Sequence, residues 1–89
     1  MDAKDIEQIL QEALKPLYIC VQNDSQRHKR HKEAKSHGGG HFSVLIYADC
    51  FRGLTLIARH KLIYQALKMP RSEIHALSIV AKTSEEKLP

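Results

Sequence analysis

The chain has 89 residues, is 43% apolar and carries a formal net charge of +4. A chain this short can bury one modest core, so residues 1–89 are predicted to form a single domain. No apolar run approaches the roughly 18 residues that a membrane span needs, and the acidic start is unlike a signal peptide. Two distant cysteines do not make a disulfide framework. These features argue against a secreted or membrane protein and favour the cytoplasm or the mitochondrion.

Residues 2–15 have the apolar spacing of an amphipathic helix. Its predicted inner face consists of Ile6, Ile9, Leu10, Ala13 and Leu14. Asp2 or Asp5 can cap the first turn, and Pro16 disfavours helix at the residue before it. The alternation that follows, from Leu17 to Gln22, predicts a half-buried strand.

A turn signal at residues 23–25 opens a long polar segment, which ends in three consecutive glycines. Residues 24–41 hold five Lys or Arg against two acids, so most of the net positive charge lies here. The segment has no apolar periodicity and predicts a basic, histidine-rich loop. A loop of this length is usually either functional or disordered.

The second half of the chain predicts a strand from Phe42 to Ala48, a helix from Leu54 to Met69 and a strand from Ile74 to Ala81. The predicted apolar stripe of that helix runs through Leu56, Ile63, Tyr64 and Leu67, with His60 inside it. Residues 83–86 carry a capping-box pattern that could open another helix, but the sequence given ends three residues later, so 83–89 are predicted to be a flexible tail.

This order predicts an α+β fold of the αββαβ type, a small domain with both helices packed on one face of a three-stranded mixed sheet. The helix between the second and third strands makes a crossover, which favours parallel pairing of those two strands.

Six histidines are the most conspicuous feature of the composition. His28, His31, His37 and His41 lie in or beside the basic loop, and imidazole suits zinc, copper, nickel and iron. A solvated basic loop is the simpler interpretation, and a stand-alone zinc or copper site is an alternative. His60 is predicted to be a partly buried helix residue, whereas His75, near a strand end, has an open role.

No motif in the sequence predicts catalysis. The chain has no nucleophile elbow, no phosphate-binding loop and no dinucleotide fingerprint. Cys50 is predicted to be a small packed residue rather than a nucleophile, because no base is near it in sequence. We therefore expect a binding protein and not an enzyme.

Four short runs together resemble the BolA-like family. They are His41-Phe42 at a strand start, Phe51-Arg52-Gly53 in a turn, Arg59-His60 in a helix and Ile74-His75-Ala76 in a strand. The resemblance covers residues 41–82 closely and the first helix and strand more loosely. It implies a fold similar to a type II KH module, in agreement with the predicted order of elements.

The resemblance also implies a function. Members pair with monothiol glutaredoxins and share a bridging 2Fe–2S cluster in iron–sulfur trafficking or iron sensing, with glutathione supplied through the partner. His75 matches one family ligand. The run from Asn23 to His28 matches the segment that carries the other, so His28 is the first choice, with His31 and His37 as alternatives. The histidine subtype is implied, since no cysteine lies between Val21 and Asp49. The free chain is expected to be a cofactor-free monomer that forms a heterodimer with its partner.

Two departures from the family pattern matter. The loop is longer and more basic than usual, and Arg52 stands where an acidic residue is commoner. The alternative function is a nucleic-acid-binding, transcriptional regulator-like module of KH type. Its predicted contacts are Arg59, Lys61, Arg27, Lys29 and Arg30. The GXXG loop with which KH modules clamp a nucleic-acid backbone is absent from this sequence.

Overall fold

The computed structural model describes residues 1–25 and 40–86. Within these ranges the elements are α1 (Ala3–Leu14), β1 (Tyr18–Asn23), β2 (Gly40–Tyr47), a 3₁₀ turn (Asp49–Phe51), α2 (Leu56–Ala66) and β3 (Ile74–Lys82). This order confirms the predicted αββαβ arrangement.

The three strands form one mixed sheet with β2 in the centre. β1 pairs with β2 antiparallel, and β2 pairs with β3 parallel, as the crossover through α2 predicted. Side chains of β2 alternate between the two faces of the sheet. Phe42, Val44 and Ile46 are buried under the helices, so the opposite face is open.

The first helix begins with a reciprocal cap. The backbone N–H of Asp5 donates to the carboxylate of Asp2, and the N–H of Asp2 donates to the carboxylate of Asp5. Ile6 and Leu10 are fully buried in the core. Ala13, which was predicted to lie on the inner face of α1, is exposed. The buried face of this helix is centred on Ile6 and Leu10, which are four residues apart.

The second helix is shorter than predicted at both ends. Thr55 is its N-cap, since its hydroxyl accepts from the N–H of Ala58, so Leu54 stands outside the helix. The helix ends at Ala66, and Lys68 then adopts a left-handed conformation with φ of 57°. The chain therefore leaves the helical path before it reaches the proline that was predicted to stop it.

The buried face of α2 differs from the predicted stripe. Arg59, Ile63 and Leu67 are buried at intervals of four residues. Leu56 is 63% exposed and Tyr64 is 42% exposed, so their assignment to the core was wrong. The buried face of α2 is centred on Arg59 and not on Leu56, so it is rotated about the helix axis relative to the predicted stripe.

The end of the described chain forms a turn. The N–H of Thr83 donates to the Glu86 carboxylate at 2.9 Å, which is one half of the predicted capping box. Residues 83–86 are nevertheless in a turn and not a helix. No helix within 1–25 and 40–86 is long and apolar enough to cross a membrane.

Candidate functional site

His75 is the second residue of β3 and is exposed, whereas Ile74 before it is buried in the core. Gly40 is in register with Ile74, and His41 is in register with Ala76. The register therefore shifts by one residue between these pairs, and His75 lies in the shift. Irregularities of this kind re-aim a side chain, and here the imidazole stands at the starting edge of two parallel strands.

The imidazole of His41 lies beside that of His75. The two ring centroids are 5.0 Å apart, with the ring planes tilted by 46°. His41 is half-buried. Its backbone is held on both sides, because its N–H donates to Ser25 Oγ at 3.1 Å and its carbonyl accepts from the N–H of Asp24 at 2.7 Å. The turn after β1 thus fixes one member of the imidazole pair.

Gly40 is required at the start of β2 by a close approach. A Cβ atom at this position would lie 2.5 Å from Cε2 of the Phe42 ring, which is buried in the core. The Gly40 N–H also donates to the carbonyl of Glu73 at 3.1 Å, and this bond ties the start of β2 to the residue preceding β3. The backbone under both histidines is therefore closely constrained.

An ion pair stands beside the start of β3. Arg71 binds both carboxylate oxygens of Glu73, at 3.0 and 3.1 Å, and donates to the carbonyl of Leu67 at 2.9 Å. The pKa of the Glu73 carboxyl is lowered, chiefly by its hydrogen bonds to Arg71. These contacts connect the end of α2 to the strand that carries His75.

The open face of the sheet continues from the histidines toward the other end of the strands. It contains a groove of about 270 Å³ lined mainly by Cys20, Leu45, Ile79 and Val80, with serines between them. Beyond the groove, the rings of Tyr18 and Tyr47 pack edge to face at 6.0 Å.

The other predicted ligands lie outside the part of the chain that the structure describes. His28, His31 and His37 fall between residues 26 and 39, outside the described residues, as do Arg27, Lys29 and Arg30. In the described parts of the chain, no group of three or more His, Cys, Asp or Glu side chains is arranged to hold a metal ion. The described part of the site is therefore the pair His41 and His75.

His41 was predicted only as part of the loop, not as a neighbour of His75. A sequence signal for the pairing did exist. The parallel pairing of the second and third strands was predicted, and parallel strands start at the same edge of a sheet. Histidines near both strand starts therefore meet at that edge.

Arg59, one of the predicted nucleic-acid contacts, lies inside the fold. Its side chain is 7% exposed. Its guanidinium donates to the carbonyls of Leu54 and Ala81 and to both carboxylate oxygens of Glu86. Because all these contacts lie within the fold, the guanidinium is not available to a phosphate. Lys61, another predicted contact, is exposed.

Two predictions about side chains outside the pair have different outcomes. His60 is half-buried on α2, as predicted. Cys50 is exposed and was wrongly predicted to be packed. The pKa of its thiol is raised, chiefly because partial burial disfavours the thiolate, and the charge of Asp49 adds to this. A protonated thiol is a poor nucleophile, in agreement with the absence of a catalytic motif.

The order and pairing of the elements define a small α+β domain of the αββαβ type. The family model described as BolA-like protein matches residues 10–86, and the chain belongs to this family, which is non-enzymatic. The family membership predicted from the four short runs is thus confirmed.

The relatives include two plant proteins from Arabidopsis thaliana. The chain is 38% identical to SufE-like protein 1, chloroplastic/mitochondrial, over 91% of this chain and 23% of that protein. It is 34% identical to Protein BOLA1, chloroplastic, over 94% of this chain and 54% of that protein. The chain therefore spans about a quarter and about half of these relatives.

A solved structure of the BolA domain of SufE1 from the same plant has a TM-score of 0.79 to this chain, with 38% identity, and the match covers 96% of this chain and 94% of that one. A bacterial relative, the DNA-binding transcriptional regulator BolA of Vibrio cholerae, is 34% identical over 91% of this chain and 74% of its own length. The predicted small α+β fold is confirmed by the structural match.

Proposed function

We propose that this chain is an iron–sulfur adaptor that pairs with a monothiol glutaredoxin and supplies two imidazole ligands to a bridging 2Fe–2S cluster. The observation that carries the proposal is the exposed His75, which stands at a sheet edge with a second imidazole 5.0 Å away between ring centroids. Membership of the BolA-like family supports it.

The donor set fits such a cluster. Each iron of a 2Fe–2S centre takes two ligands from protein, and two histidines serve one iron in Rieske centres. Within residues 1–25 and 40–86, the imidazole of His75 has that of His41 beside it, with ring centroids 5.0 Å apart. The partner would supply a cysteine thiolate and the thiolate of glutathione for the other iron. Imidazoles in place of thiolates raise the reduction potential of a cluster.

The surroundings of the pair suit a shared site. His75 is exposed and belongs to a paired strand, so a partner can reach it while its backbone stays fixed. The apolar groove on the same face of the sheet offers a contact surface beside the pair. A cluster held between two chains needs ligands that are accessible and well positioned, and this edge provides both.

The test is anaerobic reconstitution of a cluster in a mixture of this chain, a monothiol glutaredoxin and glutathione. Visible circular dichroism reports the cluster environment, and gel filtration reports the heterodimer. We expect His75→Ala to abolish the signal of the mixed complex. His60→Ala, which removes a half-buried imidazole from α2, is the matched control and is expected to keep it. A wild-type spectrum from His75→Ala contradicts the proposed ligand.

Nucleic-acid binding is the second candidate, and the Vibrio cholerae relative, which is named a DNA-binding transcriptional regulator, favours it. Of the predicted contacts on the described chain, Lys61 is exposed and Arg59 is bound within the fold. The test is a titration of labelled duplex DNA at several salt concentrations. A plot of log affinity against log salt concentration has a negative slope. If Lys61 contacts a phosphate, Lys61→Ala makes this slope less steep by about 0.9. An unchanged slope removes Lys61 from the interface.

The cellular location stays a prediction. The names of the two plant relatives refer to the chloroplast and the mitochondrion, while the sequence favours the cytoplasm or the mitochondrion for this chain.

A further inference from the structure

We propose that the outer edge of β1 pairs antiparallel with the same edge of a second copy of this chain, which joins two three-stranded sheets into one sheet of six strands. The outer edge consists of the backbone N–H and carbonyl groups of Ile19, Val21 and Asn23. The proposal goes beyond the proposed function, because β2 separates this edge from β3 and the pairing needs no cluster. The monomer expected from the sequence is then the dilute form of the free chain.

The backbone of β1 is hydrogen-bonded to a neighbouring strand on one side only. The order of the described strands is β1-β2-β3, so β1 lies at one side of the sheet. The N–H of Asp24 donates to the carbonyl of His41 at 2.7 Å, in register with the ladder between β1 and β2. Bonded pairs alternate along antiparallel strands, so the even-numbered residues of β1 bond to β2. Ile19, Val21 and Asn23 therefore direct their N–H and carbonyl groups outward.

The sequence of β1 does not carry the charges or prolines that protect many sheet edges. Charged side chains, prolines and bulges commonly keep an edge strand from pairing with another chain. Residues 17–23, the uncharged stretch, contain no charged residue and no proline. The opposite edge differs, because β3 has a register shift near its start and the guanidinium of Arg59 covers the carbonyl of Ala81 near its end. The edge of β1 is therefore the one that favours pairing with a further strand.

Apolar side chains are exposed along β1. Leu17, just before the strand, is 62% exposed, and Tyr18, its first residue, is 52% exposed. Ile19 and Val21 pack against the core but are only partly buried. A strand added at the outer edge covers part of this apolar surface, so side-chain burial adds to the hydrogen bonds of the backbone.

The charges at the two ends of the uncharged stretch identify a second copy as the partner. Lys15 precedes this stretch and Asp24 follows it. Antiparallel pairing of two copies brings Lys15 of each copy near Asp24 of the other, whereas parallel pairing brings like charges together. The carboxylate of Asp24 accepts a hydrogen bond from Ser43, which holds the negative charge at the end of the strand. The edge is therefore complementary to itself under a two-fold axis.

The uncharged stretch also defines the register of the pairing. It is symmetric about Cys20, so a two-fold axis at this residue pairs all of the stretch. Ile19 is then opposite Val21 of the second copy, and both residues direct their backbone groups outward, as bonded pairs require. On the open face of the sheet, Tyr18 is opposite Gln22 of the second copy.

The size of the edge determines the strength of the dimer. β1 has six residues and is therefore about 20 Å long. A stable, specific interface buries about 800 Å² on each partner, which is more than one strand edge and its neighbouring side chains can supply. We therefore expect a reversible dimer that forms in concentrated protein and dissociates on dilution.

Amide hydrogen exchange at low and high protein concentration tests the pairing in the wild-type chain. We expect the amides of Ile19, Val21 and Asn23 to exchange quickly in dilute protein and about tenfold more slowly or less when the protein is concentrated. The amides of Cys20 and Gln22 donate to β2 and are the internal control, because they are protected at both concentrations. Sedimentation velocity over the same range reports the dimer.

Two double variants test the register at the same pair of exposed positions. Tyr18→Lys with Gln22→Lys places like charges opposite each other twice across the two-fold axis. Tyr18→Lys with Gln22→Glu places opposite charges there and is the matched control, since both variants lose the same tyrosine. We expect the dissociation constant of the first variant to exceed that of the second by about tenfold or more.

Contrary outcomes are distinct. If exchange of the three outer amides does not depend on protein concentration, a second copy is overturned as the partner. If these amides become protected only when a monothiol glutaredoxin is added, the edge binds a different protein, and the proposal is overturned while the proposed function stands. Equal dissociation constants for the two double variants overturn the register about Cys20. Proton–nitrogen correlation spectra verify that each variant is folded, and the exchange experiment decides the pairing without any variant.

Discussion

The guanidinium of Arg59 binds both carboxylate oxygens of Glu86, with Nη1–Oε1 at 2.6 Å and Nη2–Oε2 at 3.2 Å. The same guanidinium reaches the carbonyl of Ala81 at the end of β3. This contact joins the buried face of α2 to the last described turn. Arg59, which was predicted from the sequence to contact nucleic acid, therefore connects α2 to the end of β3 and to the turn that follows it.

The Arg59–Glu86 pair predicts a specific dependence of stability on pH. Hydrogen bonds from Arg59 hold the pKa of Glu86 at about 2, below its ordinary value of 4.5. A carboxyl with a lowered folded-state pKa stabilises the fold above the unfolded-state pKa and loses this effect as pH falls through the folded-state value. We expect Glu86→Gln to be less stable than wild type at pH 7, and the gap to narrow as pH falls from about 4.5 toward 2. Urea denaturation at several pH values measures it.

The control for this effect is the same substitution in an Arg59→Met background, where the lowered pKa has lost its main cause. In that background, the difference in unfolding free energy between Glu and Gln at position 86 should show little dependence on pH. A gap in the wild-type background that stays constant from pH 7 to pH 2.5 would show that the pair does not couple protonation to folding.

Arg59→Met should destabilise the protein by about 2 kcal/mol, because it leaves the carbonyls of Leu54 and Ala81 without their charged donor. Lys61→Met, two residues along on the exposed side of the same helix, should change the free energy of unfolding by less than about 0.5 kcal/mol. Equilibrium urea denaturation of both variants provides the comparison. Equal stabilities would contradict a structural role for Arg59.

Gly40→Ala should destabilise the protein by about 2 kcal/mol, because the new methyl group would overlap the buried ring of Phe42. A double-mutant cycle identifies this cause. In a Phe42→Leu background the ring is gone, and the added cost of Gly40→Ala should be at most about half as large. Thermal and urea unfolding of the four proteins measure the coupling, and strictly additive effects would argue against the overlap.

The buried face of α2 can be tested with two aliphatic positions that the sequence pattern treats alike. Ile63→Ala removes a fully buried side chain and should cost about 3 kcal/mol of unfolding free energy. Leu56→Ala removes a side chain that is 63% exposed and should cost less than about 0.5 kcal/mol. Chemical denaturation of the two variants distinguishes the observed face from the predicted stripe, in which both residues would be costly.

The sequence predicted the elements better than the faces of the helices. The β-branched and aromatic content of β2 and the apolar spacing of α1 predicted these two elements, and both lie within two residues of the expected bounds. In α2, a buried arginine occupies the centre of the inner face, so a pattern based on apolar residues alone was rotated toward Leu56 and Tyr64. An ionic side chain can take such a position only when acceptors from distant segments surround it, and local periodicity does not report those.

By itself, the sequence determined the order of helices and strands, the parallel crossover and the family. These follow from local periodicity, from turn and cap residues and from short motifs. The tertiary structure decided which side chains meet. It placed His41 against His75 at a common strand edge and bound Arg59 to Glu86, because strand register and helix rotation are set by packing between segments far apart in the chain.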